Sequence, residues 1–283
     1  MAEPRSYLFV PADRPERIAK ARGCGADAVI VDLEDAVAPG AKSRARDALL
    51  ATLDAARPVV LRINGRDTPW FDDDARFAMH PGVAAVMCPK ASSVDDVAAV
   101  RSLCGDKPVL ALIETARGMA AVDLIAGAPG VARLVFGSID FQLDLDIDDD
   151  SEEALQPYRA MLVLSARVAG LPAPVDGVSV AIDDAARTAA EARRARATGF
   201  GGKLCIHPKQ VAAVNTAFSA GEARLAWARR VVEAAGAARG AAVAVDGKMV
   251  DAPVLARARR WLSAENSASA APPPSCLRHS DDD

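Results

Sequence analysis

The sequence predicts an α/β protein: a closed (β/α)₈ TIM barrel followed by a C-terminal arm of helix and hairpin. Apolar runs of four to six residues, without a strict period of two, mark strands buried on both faces. These runs alternate with helical patterns through eight units, which favours a closed barrel over an open doubly wound sheet. A length of 283 residues with 51% hydrophobic content supplies core for one large α/β domain, or for one domain plus an appendage.

Tyr7–Val10, stopped by Pro11, reads as the first strand, and Glu16–Arg22 as a helix opened by Pro15 and ended at Gly23. Ala28–Val31 is the second strand and delivers Asp32, Glu34 and Asp35; a helical pattern then runs from Lys42 to Ala56. Val59–Ile63 is the third strand, with Arg62 and Asn64 at its end, before a loop and helix in Asp67–Met79. Ala84–Cys88 is the fourth, ended by Pro89 and Lys90, and Val94–Leu103 is helical. Val109–Ile113 is the fifth strand; Thr115 caps an amphipathic run, Ala116–Ile125. Leu134–Gly137 is the sixth, followed by an acidic loop, Asp144–Glu153, and a long helix, Leu155–Ala169. Pro174–Val178 is the seventh strand, Ala185–Thr198 a helix rich in Ala and Arg, and Gly202–Ile206 the eighth strand, entering the turn at His207, Pro208 and Lys209. Beyond the barrel, Gly221–Ala238 is helical, Val243–Val250 forms a hairpin around Asp246-Gly247, and Pro253–Leu262 is a short helix. The expected division is a catalytic barrel over 1–220, an arm over 221–262 and a disordered tail over 263–283, where Ser, Ala, Pro and Asp lack periodicity.

Composition excludes several classes. A net charge of −4 does not favour nucleic acid or an anionic membrane as partner. No apolar run reaches the length of a membrane span. The opening MAEPRSYLFVPA lacks a basic segment and a long apolar core, so a cytoplasmic protein is expected. Cys24, Cys88, Cys104, Cys205 and Cys276 show no paired spacing and read as free thiols of a reducing compartment. The sequence holds no GxSxG, GxxxxGK[ST] or GxGxxG, so serine hydrolase, P-loop and Rossmann readings have no support. The Arg-rich helix over 187–196 reads as a solvated outer face.

In a barrel of this kind the chemistry lies at the C-terminal ends of the strands. Those ends carry Asp32, Glu34, Asp35, Arg62, Asn64, Lys90, Glu114, Asp140, Asp176 and His207. Glu114 and Asp140 each follow an apolar strand and lie 26 residues apart (140 − 114), the span of one strand–helix–strand unit. Two carboxylates on neighbouring strands suit a hard cation such as Mg²⁺, which keeps waters and takes few oxygen ligands. The alternative is that each acid caps the helix that follows. An acid cluster repels itself unless a cation joins it, which favours the metal. Arg62 suits either a clamp for a substrate carboxylate or an ion pair with Glu34 or Asp35. A lone His207 in IHP suits a strand-ending turn better than a general base.

The stretches RSYLFVPADRPERIAKA, ADAVIVDLEDAVAPGAKSRAR, LRING, CPK, ALIETARG, FGSIDF, AGLPAPVDGVS, GFGGKLCIHPKQV and DGKMVDAP together resemble the citrate lyase β-subunit-like (HpcH-HpaI aldolase) family of CoA-ester lyases. They cover the chain from Arg5 to about Leu262, and the family's fold is a barrel of the phosphoenolpyruvate/pyruvate type. The resemblance implies that Glu114 and Asp140 ligate Mg²⁺ and that Arg62 holds the keto-acid carboxylate and enolate. It places Glu34 and Asp35 beside the metal, and the backbone N–H groups of Gly137, Ser138, Ile139 and Asp140 on the substrate carboxylate. It makes Asp251, in MVDAP, an acid lent to a neighbouring subunit's site by the arm, and so implies a homo-oligomer, a trimer or hexamer with shared active sites. On its residues alone, Asp251 reads as the N-cap of the Pro253 helix. Asp146, in LDLDID, stands where members often carry glycine.

The implied chemistry is cleavage of a 3-hydroxyacyl-CoA to acetyl-CoA and a 2-keto acid. GSIDF, GGKLCIHP and the short chain resemble stand-alone lyases, including citramalyl-CoA lyases, whose products are acetyl-CoA and pyruvate; malyl-CoA would give glyoxylate. Other readings are a citrate lyase β subunit acting on a citryl thioester, a malyl-CoA thioesterase, and a non-catalytic scaffold; intact acids argue against the last.

Overall fold

The computed structural model describes residues 3–148, 153–219, 221–237 and 243–269. The chain forms two compact units, Pro4–Phe218 and a C-terminal unit beginning at Ser219. The first runs through β1 (Ser6–Pro11), α1 (Glu16–Gly23), β2 (Ala28–Asp32), α2 (Lys42–Leu49), β3 (Val59–Arg62), α3 (Phe71–Phe77), β4 (Val83–Cys88), α4 (Val94–Cys104) and β5 (Val109–Ile113). It continues through α5 (Ala116–Ala120), α6 (Val122–Ala126), β6 (Val131–Phe136), α7 (Ser138–Asp144), α8 (Gln156–Val168), β7 (Val175–Asp176), α9 (Ala185–Thr198), β8 (Gly202–Cys205) and α10 (Pro208–Phe218).

Strands β1 to β8 pair in parallel and in sequence order, and β8 closes on β1. The apolar runs have their physical cause in two cores. Tyr7, Ile30, Val60, Met87, Leu110, Leu112, Val135, Val175 and Leu204 form one cluster, filling the barrel. Their strand neighbours Leu8, Val29, Val31, Leu61, Ala111 and Leu134 face the other way and pack against the helices. Successive residues thus alternate between two apolar environments, so no polar face interrupts the run.

The C-terminal unit contains α11 (Glu222–Ala237), β9 (Val243–Val245), β10 (Lys248–Val250) and α12 (Ala252–Ser269). Asp246 and Gly247, at φ 50° and 73°, make the hairpin turn the Asp-Gly pair predicts. Ala228, Val231, Val245, Val250 and Ala258 give this unit its own small core.

Several boundaries differ from expectation. The helix expected over Lys42–Ala56 ends at Leu49, where the bonding tightens from i→i+4 to i→i+3: the Leu50 N–H donates to the Asp47 carbonyl and the Thr52 N–H and hydroxyl to that of Leu49. The run Ala116–Ile125 breaks into α5 and α6 at Ala121 (φ −101°, ψ 7°). Strand seven spans Val175–Asp176 rather than Pro174–Val178. The loop expected from Asp144 is preceded by the helix α7, while 149–152 lie outside the described residues. Asp146, in that loop, takes the left-handed φ of 54° that glycine adopts freely. The tail expected from Ser263 begins as helix, since α12 continues to Ser269; residues 270–283, with Cys276, are outside the described residues. Cys24, Cys88, Cys104 and Cys205 are free thiols, and no described helix is long and apolar enough to cross a membrane.

Candidate active site

The site grows from the ends of β2 to β6. Asp32 closes β2, and one carboxylate oxygen accepts the N–H of Glu34 at 2.8 Å, the other that of Ala36 at 3.2 Å. This ties down the turn that presents Glu34 and Asp35. The same carboxylate holds Arg62, the last residue of β3, bidentately: Nε–Oδ1 2.7 Å and Nη2–Oδ2 2.6 Å. The third guanidinium nitrogen, Nη1, lies 3.0 Å from Glu34 Oε2 and 3.3 Å from Asp35 Oδ2. Phe9 backs the guanidinium, with 5.0 Å from Cζ to the ring centre. Burial opposes the charge on Arg62, but its bond to Asp32 together with the charges of Asp32, Glu34 and Asp35 outweighs that and keeps the group firmly protonated.

Lys42, read from the sequence only as a helix start, is buried and donates from Nζ to the carbonyls of Leu33 and Glu34, both at 2.9 Å. Asp74 is likewise fully buried, accepting from Asn64 Nδ2 at 2.6 Å and Arg46 Nη1 at 2.8 Å. Asn64 is therefore committed to packing β3 against α3. Neither Lys42 nor Asp74 lies at a strand end, so the barrel rule could not find them.

Glu114 follows β5 directly and is 2% exposed. The Lys90 N–H donates to its Oε1 at 2.7 Å. Its side chain lies against Gly137, where an added Cβ would come within 2.5 Å of both Oε2 and Cβ of Glu114. Thr115 then caps α5, its hydroxyl accepting from the Gly118 N–H at 3.0 Å. Gly137 is the N-cap of α7, whose first turn carries Ser138, Ile139 and Asp140. Burial, then the charge of Glu34, push the Glu114 carboxyl up to about 8 against the pull of Arg62, and Asp140 adds to the rise. Glu34 is raised in the same way, burial first, despite Arg62 and Lys90. The structure thus brings together Glu34, Asp35, Arg62, Glu114, Gly137 and Asp140.

These residues fit a small hard cation. Glu114 is a deeply buried carboxylate whose neighbours include two more acids, an arrangement that needs positive charge to ionise. No described group of three or more His, Cys, Asp or Glu residues could hold a metal. Two carboxylate ligands, Glu114 and Asp140, would leave the remaining positions to water and substrate, as Mg²⁺ prefers. A cavity of about 640 Å³ adjoins the site through Lys90 and is lined also by Asn64, Arg66, Ser92, Ser93 and Arg117.

Two residues expected at the barrel mouth lie elsewhere in function. Asp176 is 1% exposed and sits level with Lys203 and the start of β1, bonded to Arg159 Nε at 2.8 Å and Lys203 Nζ at 3.1 Å. Burial alone would raise its carboxyl, but Lys203 and Arg159 hold it below the ordinary value. It is a structural ion pair between the barrel and its helices: Val175 takes the barrel-filling face of β7, so Asp176 faces α8 and α9, where Glu191 also lies 3.7 Å from Lys203 Nζ. His207 Nδ1 accepts the Lys209 N–H at 3.2 Å, as a turn residue does. In the C-terminal unit Asp251 is exposed, and its Oδ1 accepts the Val254 N–H at 3.1 Å, the N-cap geometry of α12.

Residues 5–208 match the family model described as HpcH/HpaI aldolase/citrate lyase. The chain belongs to this family. It is 38% identical over 268 residues to a (3S)-malyl-CoA thioesterase of Cereibacter sphaeroides, covering 92% of this chain and 93% of the relative. It is 40% identical over 263 residues to a citrate lyase subunit beta-like protein of Mycobacterium tuberculosis, covering 90% and 93%. The crystal structure of CitE from Mycobacterium tuberculosis in complex with magnesium, acetoacetate and coenzyme A superimposes with a TM-score of 0.82 at 38% identity, covering 94% of this chain and 98% of that one.

Proposed function

We propose that this protein is a Mg²⁺-dependent CoA-ester lyase that cleaves a 3-hydroxyacyl-CoA of the citramalyl or malyl type to acetyl-CoA and a 2-keto acid. The observation that carries the reading is the buried Arg62, locked by Asp32 and facing Glu34 and Asp35, in the electrostatic neighbourhood of Glu114 and Asp140. A fixed guanidinium beside two metal-type carboxylates suits one ligand group above others: a 2-oxo or 2-hydroxy acid.

Glu114 and Asp140 would hold the cation, which when bound supplies Lewis-acid polarisation of the substrate hydroxyl. Arg62 would bind the oxygen on which negative charge collects. The backbone N–H groups of Ser138, Ile139 and Asp140 would meet the acid's carboxylate; that of Gly137, also expected there, is already given to the Ile113 carbonyl at 3.0 Å. The reaction balances without a redox partner: the hydroxyl loses its proton, the C–C bond breaks, and its electron pair leaves on the acetyl-CoA enolate, which takes up a proton at carbon. Asp251 would be that proton's donor, lent by one copy's arm to another copy's barrel in a homo-oligomer. In the condensation direction it would remove the methyl proton.

The relatives named malyl-CoA thioesterase support a second reading, hydrolysis of the thioester at the same site. Citramalyl-CoA, malyl-CoA and citryl-CoA offered in parallel separate the two. A lyase releases keto acid with acetyl-CoA; a thioesterase releases free CoA and no keto acid. Pyruvate from citramalyl-CoA is expected to outpace glyoxylate from malyl-CoA.

A further inference from the structure

Lys90 has a backbone and a side chain that both act on this site. Its φ is 48°; Asp146 and Asp246 are the other described non-glycine residues with positive φ. Aspartate tolerates that region, and Asp246 belongs to a hairpin turn, whereas Lys90 follows Pro89 at the end of β4. Strain in such a place marks a geometry that function requires. The turn is held at both of its polar groups. The Lys90 N–H donates to Glu114 Oε1 at 2.7 Å, and Ser92 Oγ donates to the Lys90 carbonyl at 2.8 Å. That hydroxyl also lies 3.1 Å from Thr115 Oγ1, beside Glu114. Gly118 leaves the space that the Ala91 carbonyl fills.

From this turn the Lys90 side chain reaches across to Glu34, with Nζ 3.0 Å from Oε1. The other Glu34 oxygen, Oε2, is buried without a hydrogen bond although Arg62 Nη1 is 3.0 Å away. The contact is therefore ionic and off the N–H direction. Arg62 makes its directed bonds through Nε and Nη2, both to Asp32. Its Nη1 hydrogens are thus not consumed by Glu34, and the ion pair of the same nitrogen with Asp35 Oδ2, at 3.3 Å on an exposed side chain, is likewise not a directed hydrogen bond.

We infer that Lys90 is a positioning residue for oxo-acid binding: its ammonium holds Glu34 through Oε1 in an orientation in which Oε2 takes no directed bond from Arg62 Nη1, which leaves those hydrogens for a substrate oxygen, while its backbone N–H aims Glu114. This rests on the oxo-acid reading of the site. Without the ammonium, Arg62 is the nearest remaining cation for Glu34, and an incoming oxo acid has to displace that carboxylate.

The test uses the purified full-length protein with Mn²⁺ bound, Mn²⁺ affinity read by electron paramagnetic resonance and oxaloacetate or pyruvate affinity by calorimetry. Lys90→Met is expected to weaken oxo-acid binding about tenfold or more, and Mn²⁺ binding by less than about threefold. Lys90→Arg, which keeps the charge, restores most of the affinity. Lys90→Gly relaxes the backbone and keeps the N–H to Glu114, so it loses oxo-acid affinity without losing thermal stability, and it carries the test if Lys90→Met does not fold. In the condensation direction the loss falls on KM for the oxo acid more than on kcat. Equal oxo-acid affinity in wild type and Lys90→Met overturns the inference alone. So does a parallel loss of Mn²⁺ and oxo acid. A wild-type protein that binds Mn²⁺ but no oxo acid overturns the oxo-acid reading and this inference with it.

Discussion

At the scale of single residues, the site is governed by how each charge is compensated. Glu114 goes from an ordinary 4.5 to about 8 on folding, so the folded metal-free protein holds its proton across that window. Folding stability of the metal-free form should therefore fall as pH rises from the ordinary carboxylate range through about 8, and the loss should be complete above it. A cation displaces the proton, so Mg²⁺ affinity should climb over the same range and flatten above about 8. Calorimetry at pH 7 in buffers of different ionisation enthalpy should show proton release on binding. Asp176 has the opposite role. Asp176→Asn removes the buried negative charge that faces Arg159 and Lys203 between barrel and helices, and it should cost about 3–5 kcal/mol in denaturant unfolding while leaving Mg²⁺ affinity unchanged. The acid–base inventory of the mouth was legible in the sequence because strand ends can be counted. That Asp176 is not part of it was not legible, since β7 is too short for its sequence to show which face of the strand the acid takes.

At the scale of elements, β5 and β6 show why two acids 26 residues apart can meet (140 − 114). Their register pairs Ile113 with Phe136, so Glu114 and Gly137 emerge side by side. Glycine at 137 is required by contact rather than by backbone angle, its φ being −90°. Gly137→Ala should keep the fold yet push the Glu114 carboxylate aside, weakening Mn²⁺ binding by roughly tenfold or more in a spin-resonance titration. Strands β1 to β5 were legible because a strand buried on both faces leaves a nearly unbroken apolar run, whereas Arg133 and Lys203 interrupt β6 and β8 and β7 is only Val175–Asp176. Helix ends were less so. The tightening to i→i+3 bonds that ends α2 at Leu49 and the break at Ala121 carry no glycine or proline. The packing role of Lys42 depends on carbonyls brought close only by the β2 turn.

At the scale of the whole molecule, the chain is a barrel that presents the acid site and a separate C-terminal unit that presents Asp251. The hairpin and its Asp-Gly turn were legible from the sequence, whereas α12 outran its expected end because a Ser- and Ala-rich stretch has no stop signal before Ser269. If the arm completes a neighbour's site, then neither Asp251→Asn nor Arg62→Ala should be active alone. Mixed oligomers of the two should recover part of the activity, since some sites receive both intact residues. No recovery in oligomers shown to be mixed would speak against a shared site. The reading as a whole turns on carbon–carbon cleavage dependent on a divalent cation. The direct measurement is keto acid and acetyl-CoA released from citramalyl-CoA by the purified protein, with Mg²⁺ and then with excess EDTA. Equal amounts of pyruvate and acetyl-CoA, abolished by EDTA and by Glu114→Gln, are predicted; free CoA without pyruvate, or pyruvate release undiminished in EDTA, would contradict the account.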